Sequence, residues 1–126
     1  MKSSIFTKLR TLNIGPCTEK ILNRRDYTPV LPQELLKNDV ISVIGYGPQG
    51  RNQSLNLRDS KYNVILGLRK GPSYNQALKD GWRENTDLFD IPTAANYGTI
   101  VSYLLSDAGQ IETWDTIKKY LYANKF

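Results

Sequence analysis

Asp39-Val-Ile-Ser-Val-Ile-Gly-Tyr-Gly-Pro-Gln-Gly50 is the stretch whose reading decides the fold. Val40 to Ile44 is apolar or β-branched apart from Ser42, the composition of a central strand covered on both faces. It runs straight into Gly45-x-Gly47-x-x-Gly50, and Gln49 to Leu57 reads as a helix. Strand, glycine turn and helix in that order turn a weak pattern into a dinucleotide fingerprint. Gly45 makes the tight turn, Gly47 lets the backbone approach a pyrophosphate, and Gly50 lets helix and strand pack closely. The N–H groups opening the helix then face the ligand, with the positive end of the helix dipole behind them.

Working outward, Tyr62 to Leu68 reads as a second strand, joined in parallel to the first by the crossover helix. Along that helix Gln53, Ser54 and Leu57 fall near one stripe. Tyr74 to Lys79 reads as a helix stopped by Gly81, and Trp82 to Asn85 as a short third strand. Asp90 with Pro92 marks another helix start, and Thr99 to Leu105 is the next strand. A last helix begins near Asp107, capped either by Ser106 or by an Asp107/Gln110 box. Its Ile111, Trp114, Ile117 or Lys118, and Leu121 recur at helical spacing and read as core contacts beside a solvated basic end. The alternation predicts an α/β fold, a Rossmann-like, partial doubly wound parallel sheet in one domain over residues 39–126. Residues 1–38 form an N-terminal arm with a short edge strand at Leu12–Ile14 broken by Gly15-Pro16, punctuation at Pro29 and Pro32, and helical turns at Gln33–Lys37.

At 126 residues, folding removes about two-thirds of the unfolded surface from water. The net charge is +5, but the Lys and Arg side chains of residues 1–26 exceed Glu19 and Asp26 by four. A basic leader is not a basic binding face, so no nucleic-acid partner is expected. The longest largely apolar run, Thr99 to Leu105, is too short to span a bilayer, so no membrane partner is expected either. There is no histidine, which excludes imidazole-based catalysis within these residues. Cys17 is the lone cysteine, which suits a reducing, cytoplasmic setting. A mitochondrial or plastid address is the alternative if the basic leader acts as a transit peptide. Asp87 and Asp90, three apart, read as caps and solvated acids rather than a metal pair, and no metal site is expected.

The ligand is read from the loops. NAD sites place an acid about 20 residues beyond the glycine turn, on the ribose 2′-hydroxyl. Here that position holds Arg69, Lys70 and, past Gly71-Pro72, Ser73. Two cations beside a hydroxyl suit a dianionic 2′-phosphate, hence NADP(H), unless they are merely solvated. Ser106 and Asp107 close the later strand at the carboxyl edge, where they either cap the helix or also border the nicotinamide.

Taken in order, Ile44-Gly-Tyr-Gly-Pro-Gln-Gly50, Asn56-Leu-Arg-Asp-Ser60, Asn63-Val-Ile-Leu-Gly-Leu-Arg-Lys-Gly71, Asp80-Gly-Trp82, Asp87-Leu-Phe89, Leu104-Leu-Ser-Asp-Ala-Gly-Gln110 and Glu112-Thr-Trp114 resemble the N-terminal, cofactor-binding domain of ketol-acid reductoisomerase. The likeness covers residues 11 to 121. It implies an NADP-dependent oxidoreductase of branched-chain amino-acid biosynthesis, which carries out a Mg²⁺-dependent alkyl shift on an acetohydroxy acid and an NADPH reduction. By that resemblance Tyr46, Gly47, Pro48 and Gln49 lie against the pyrophosphate, while Arg69 and Ser73 hold the 2′-phosphate; Gly45, Gly50 and Lys70 complete the cofactor-binding set read from the turn and the loop. Ser106, Asp107 and Gln110 border the ribose and nicotinamide. The family's Ser-His-Gly-Phe segment and its Mg²⁺-binding carboxylate domain have no counterpart in these residues, so no catalytic residue is assigned and turnover by this chain alone is not expected. Further expectations are reduced cofactor affinity from Pro48, which has no N–H, a Tyr74 where the family usually shows Trp, and self-association through an unpaired sheet edge beyond Thr99–Leu105. The alternatives are a non-catalytic NADP(H)-binding or regulatory module, or a decayed remnant.

Overall fold

Four short parallel strands carry the candidate site. They belong to a computed structural model that describes residues 9–26, 30–122 and 125–126. Lys2 and Lys8 of the leader, and Pro29, lie outside the described residues. Contacts divide the chain into two units, residues 1–35 and 36–126.

In the first unit, β1 (Arg10–Ile14) pairs antiparallel with β2 (Cys17–Ile21). Gly15, at φ +58°, and Pro16 make the turn, so the dipeptide expected to break an edge strand instead reverses the chain and starts a second one. Arg10 donates two hydrogen bonds to Asp26, at 2.6 and 2.5 Å. The helical turns expected at Gln33–Lys37 belong to α1 (Val30–Leu35), which starts earlier.

In the second unit, β3 (Ile41–Ile44) is flanked by β4 (Val64–Gly67) and β6 (Ile100–Tyr103), both parallel to it, and β4 pairs in turn with β5 (Leu88–Phe89). The helices are α2 (Pro48–Asp59), α3 (Pro72–Lys79), α4 (Ile91–Tyr97) and α5 (Asp107–Ile117). Every residue of β3 and β4 is buried, as expected of strands covered on both faces. Ile41, Val43, Val64 and Leu66 join Tyr74, Ala77 and Trp82 in one core cluster. Ile44 joins Ile91, Ala95 and Ile117 in another. Ser42 carries a fully buried hydroxyl with no hydrogen-bond partner, and its Cβ lies 2.5 Å from where a Cβ on Gly98 would stand. A strand approaching that closely leaves room for no side chain larger than hydrogen at position 98.

The third strand is not at Trp82–Asn85. Trp82 N–H donates to the Ala77 carbonyl, ending α3, and Asn85 takes φ +58°, which no strand residue adopts. Pairing resumes at Leu88, whose neighbour Asp87 accepts from Leu66 N–H at 2.7 Å. The stripe expected on α2 is narrower than its spacing suggested: Gly50 and Ser54 are buried and Leu57 half-buried, while Gln53 is exposed.

On α5 the sequence pattern also misplaces the core face. Ile117 is buried, but Ile111 is 80% exposed, Trp114 47% and Leu121 37%. The helix is turned by its start: Ser106 is the cap, accepting from Gly109 N–H, and Tyr103 reaches up to the Gln110 carbonyl and the Thr113 hydroxyl. That fixes Gly109, Thr113 and Ile117, at i, i+4 and i+8, as the inward stripe. The outer edge of β6, expected to be bare, is met by Phe126, whose backbone donates to Thr99 and accepts from Val101 in the manner of a parallel strand.

Candidate functional site

The chain winds β3, β4, β5 in one direction and then returns to place β6 on the far side of β3. That reversal makes a crevice beyond the carboxyl ends of the strands, where ligands of open α/β sheets bind. The glycine turn closes it from below. Gly45 takes φ +109°, and a Cβ there would sit 2.6 Å from the Leu104 carbonyl oxygen. A Cβ on Gly50 would sit 2.2 Å from the Gly45 carbonyl oxygen. A Cβ on Gly47 would meet nothing within 4 Å. Two glycines are therefore set by packing, and the middle one faces open space.

Gly47 is also the N-cap of α2, with no side chain to satisfy the first turn, and Pro48 follows at N1. Pro48 has no N–H, so the groups that turn offers come from Gln49 and Gly50, ahead of the Arg51 N–H that closes onto the Gly47 carbonyl at 2.9 Å. An uncapped helix start of this kind is a seat for an anion.

Above the turn lies a cleft of about 350 Å³ lined by Gly45, Tyr46, Leu68, Arg69, Lys70, Gly71, Pro72, Ser73 and Leu105. A neighbouring cleft of about 440 Å³ shares Leu68, Arg69 and Lys70 and runs on to Phe89, Asp90, Pro92 and Thr113. Of the residues expected at the site, Gly45, Tyr46, Arg69, Lys70 and Ser73 come together in the first cleft. Pro48 and Gln49 are exposed on the first turn of α2, and Gly50 is buried beneath it. Ser106, Asp107 and Gln110 do not line either cleft; Ser106 caps α5 and the Gln110 amide donates to the Leu105 carbonyl at 2.9 Å. Leu68 and Leu105 are apolar lining that the sequence reading did not single out. Their signal was only that each is the last apolar residue of its strand segment.

Tyr46 contributes differently from the expectation of a residue facing a pyrophosphate. Its ring is buried at 6% exposure, and its hydroxyl donates inward to Asp80 at 2.8 Å while accepting from the Trp82 ring N–H at 2.9 Å. Asp80 also accepts from Arg51 at 2.7 and 3.0 Å and from Gln76 at 3.0 Å. The bidentate Arg51 pair, then the Tyr46 hydroxyl, hold the Asp80 carboxyl well below the usual carboxylate range. The glycine turn is thus tied from behind to the end of α3, through groups signalled in the sequence only by Asp80-Gly-Trp82.

Burial, reinforced by the bond to Asp80, pushes the Tyr46 phenol up to about 12 from its ordinary 10.0. A raised value means the folded state favours the protonated phenol. That stabilisation is complete below pH 10 and is lost as pH rises towards 12. At about 1.4 kcal/mol per pH unit, the wild-type chain should lose about 2 kcal/mol over that interval relative to Tyr46→Phe. Urea midpoints of both proteins at pH 9 and pH 11.5 check this, and parallel curves would refute it.

Among the described residues no group of three or more His, Cys, Asp or Glu is placed to hold a metal ion. No helix among them is long and apolar enough to cross a membrane.

The chain resembles known proteins in sequence and in fold. A sequence model of the acetohydroxy acid isomeroreductase NADPH-binding domain matches residues 35–126. The chain is 43% identical over 118 residues to the mitochondrial ketol-acid reductoisomerase of Neurospora crassa, covering 93% of this chain and 29% of that one. It is 44% identical over 112 residues to the ketol-acid reductoisomerase (NAD(+)) of Desulfosudis oleivorans, covering 88% of this chain and 32% of that one. The structure of an NADH-preferring ketol-acid reductoisomerase from an uncultured archean superposes with a TM-score of 0.69 at 34% identity, covering 85% of this chain and 32% of that one. The chain spans roughly a third of the length of these relatives. On the extent of that match and on the strand, turn and helix it falls upon, the chain belongs to the acetohydroxy acid isomeroreductase (ketol-acid reductoisomerase) family, as a member of its NADPH-binding domain.

Proposed function

We propose that this chain is the cofactor-holding part of a ketol-acid reductoisomerase and prefers NADP(H). One observation carries the reading: a single cleft joins the glycine turn at Gly45 to the cations and hydroxyl of Arg69, Lys70 and Ser73. The diphosphate rests on the N–H groups of Gln49 and Gly50, which the bare Gly47 leaves open to it. Arg69, Lys70 and Ser73 hold the ribose 2′-phosphate by charge-assisted hydrogen bonds. Adenine lies in the adjoining cleft between Arg69 and the start of α4 at Ile91-Pro92, whose lining is mainly apolar. NADPH supplies a hydride to the substrate, and the part these residues play is to bind and orient it. The acetohydroxy acid and Mg²⁺ chemistry of the family belongs to groups other than those of this cleft. The basic residues 1–26, together with the mitochondrial name of the fungal relative, favour a mitochondrial address over a cytoplasmic one.

The test is a calorimetric titration of the chain and of Arg69→Ala with NADPH and with NADH. The wild-type chain should bind NADPH more tightly. Arg69→Ala should weaken NADPH binding about tenfold, the loss of one charge-assisted contact, and NADH binding less than twofold. Equal losses for both nucleotides, or no binding of either by the wild type, would defeat the reading.

A further inference from the structure

We infer that Glu84 and Glu112 set the nucleotide preference of this cleft by serving as built-in counter-anions for the cations at the tip of β4. The inference rests on the NADP(H) reading above and adds two residues to it. Arg69 Nη1 donates to Glu112 Oε2 at 2.8 Å. Lys70 Nζ donates to Glu84 Oε1, and the Tyr74 hydroxyl donates to the same oxygen at 2.6 Å. Lys70 also stands over the Tyr74 ring, 3.9 Å from its centroid. Both cations that a 2′-phosphate would use are therefore already bonded to carboxylates. These acids come from elsewhere in the chain: Glu112 from α5, and Glu84 from the loop ahead of β5.

Charge decides what this does. With each cation matched by an acid, the tip of β4 is locally close to neutral. A dianionic 2′-phosphate must displace the carboxylates or lie beside them, and both weaken its binding. An NADH ribose brings no charge there, and its hydroxyls can donate to a carboxylate. The side chains are well exposed, at 59% and 62% for Arg69 and Glu112 and 71% and 51% for Lys70 and Glu84. Exposed pairs of this kind are weak and exchangeable, so they tune the preference for NADPH without abolishing it. Lys70 and then Tyr74 hold the Glu84 carboxyl below its ordinary value, so it stays charged at neutral pH.

The experiment titrates the full chain and its Glu84→Gln, Glu112→Gln and doubly substituted forms with NADPH, NADH and 2′,5′-ADP. Glutamine keeps the size and the accepting oxygen at two exposed positions, and far-UV circular dichroism confirms that each variant is folded. NADPH and 2′,5′-ADP should each bind about threefold more tightly to the single variants and about tenfold more tightly to the double one. NADH should stay within twofold of wild type or bind more weakly. Unchanged or weaker binding of NADPH and 2′,5′-ADP by the double variant, with the wild type still binding NADPH, overturns the inference alone. A wild-type chain that binds neither nucleotide overturns the NADP(H) reading, and the inference with it.

Discussion

Gly50→Ala should abolish NADPH binding and destabilise the second unit by about 3 kcal/mol or more. The added methyl would stand 2.2 Å from the Gly45 carbonyl oxygen and 2.8 Å from its carbon. Both are backbone atoms, so no rotamer change can relieve the contact. Gly45 cannot retreat, because its own Cα faces the Leu104 carbonyl, where a Cβ would lie at 2.6 Å. The remaining route is for α2 to lift off the turn, which carries the N–H groups of Gln49 and Gly50 away from the diphosphate. Gly47→Ala separates the two effects. Its methyl meets no atom within 4 Å, and its φ of −70° suits alanine. That variant should unfold at the wild-type urea concentration yet lose NADPH, because the methyl occupies the diphosphate's approach. Wild-type stability in Gly50→Ala, or wild-type affinity in Gly47→Ala, would contradict the assignment of roles.

Trp82→Ala should lower stability by about 3–5 kcal/mol, the usual loss for a large aromatic cut from a core. Against the 5–15 kcal/mol that typically holds a domain together, a loss of that size is enough to broaden or remove cooperative urea unfolding. Trp82 is 2% exposed, and the Arg58 guanidinium lies 4.5 Å from its ring centroid. Its ring N–H donates to the Tyr46 hydroxyl, so the side chain supports the residue between Gly45 and Gly47. Trp82→Phe keeps most of the apolar volume and the face under Arg58, and removes that donor. Its expected loss is about 1–2 kcal/mol, since Tyr46 still donates to Asp80. Far-UV circular dichroism against urea measures both variants, and wild-type stability in Trp82→Phe would show that the N–H contributes nothing.

Much of the fold could be read from short-range chemistry. Val40–Ile44, the three glycines and Val64–Leu66 declared strand, turn and strand because each requirement falls within a few neighbouring residues. Arg69, Lys70 and Ser73 reached the cleft for the same reason: they follow directly from β4. What escaped depends on partners far along the chain. Trp82 looked like a strand residue because it is aromatic, but its place is fixed by Tyr46 and Arg58. Ile111 and Trp114 had the right spacing for a core, and the face of α5 was chosen instead by Tyr103, which lies outside the helix. Glu84 and Glu112 are ordinary surface acids in the sequence, and only folding brings them to Lys70 and Arg69.

The register of the central strand bears on the order of assembly. Ile41 lies beside Val64 on one side and beside Ile100 on the other. Closing the shorter loop loses less chain entropy, so β3, α2 and β4 should associate first and nucleate the rest. During synthesis that hairpin-sized piece emerges complete, glycine turn included, well before β6 leaves the ribosome. Variants in β6 should then speed unfolding and leave the refolding rate nearly untouched.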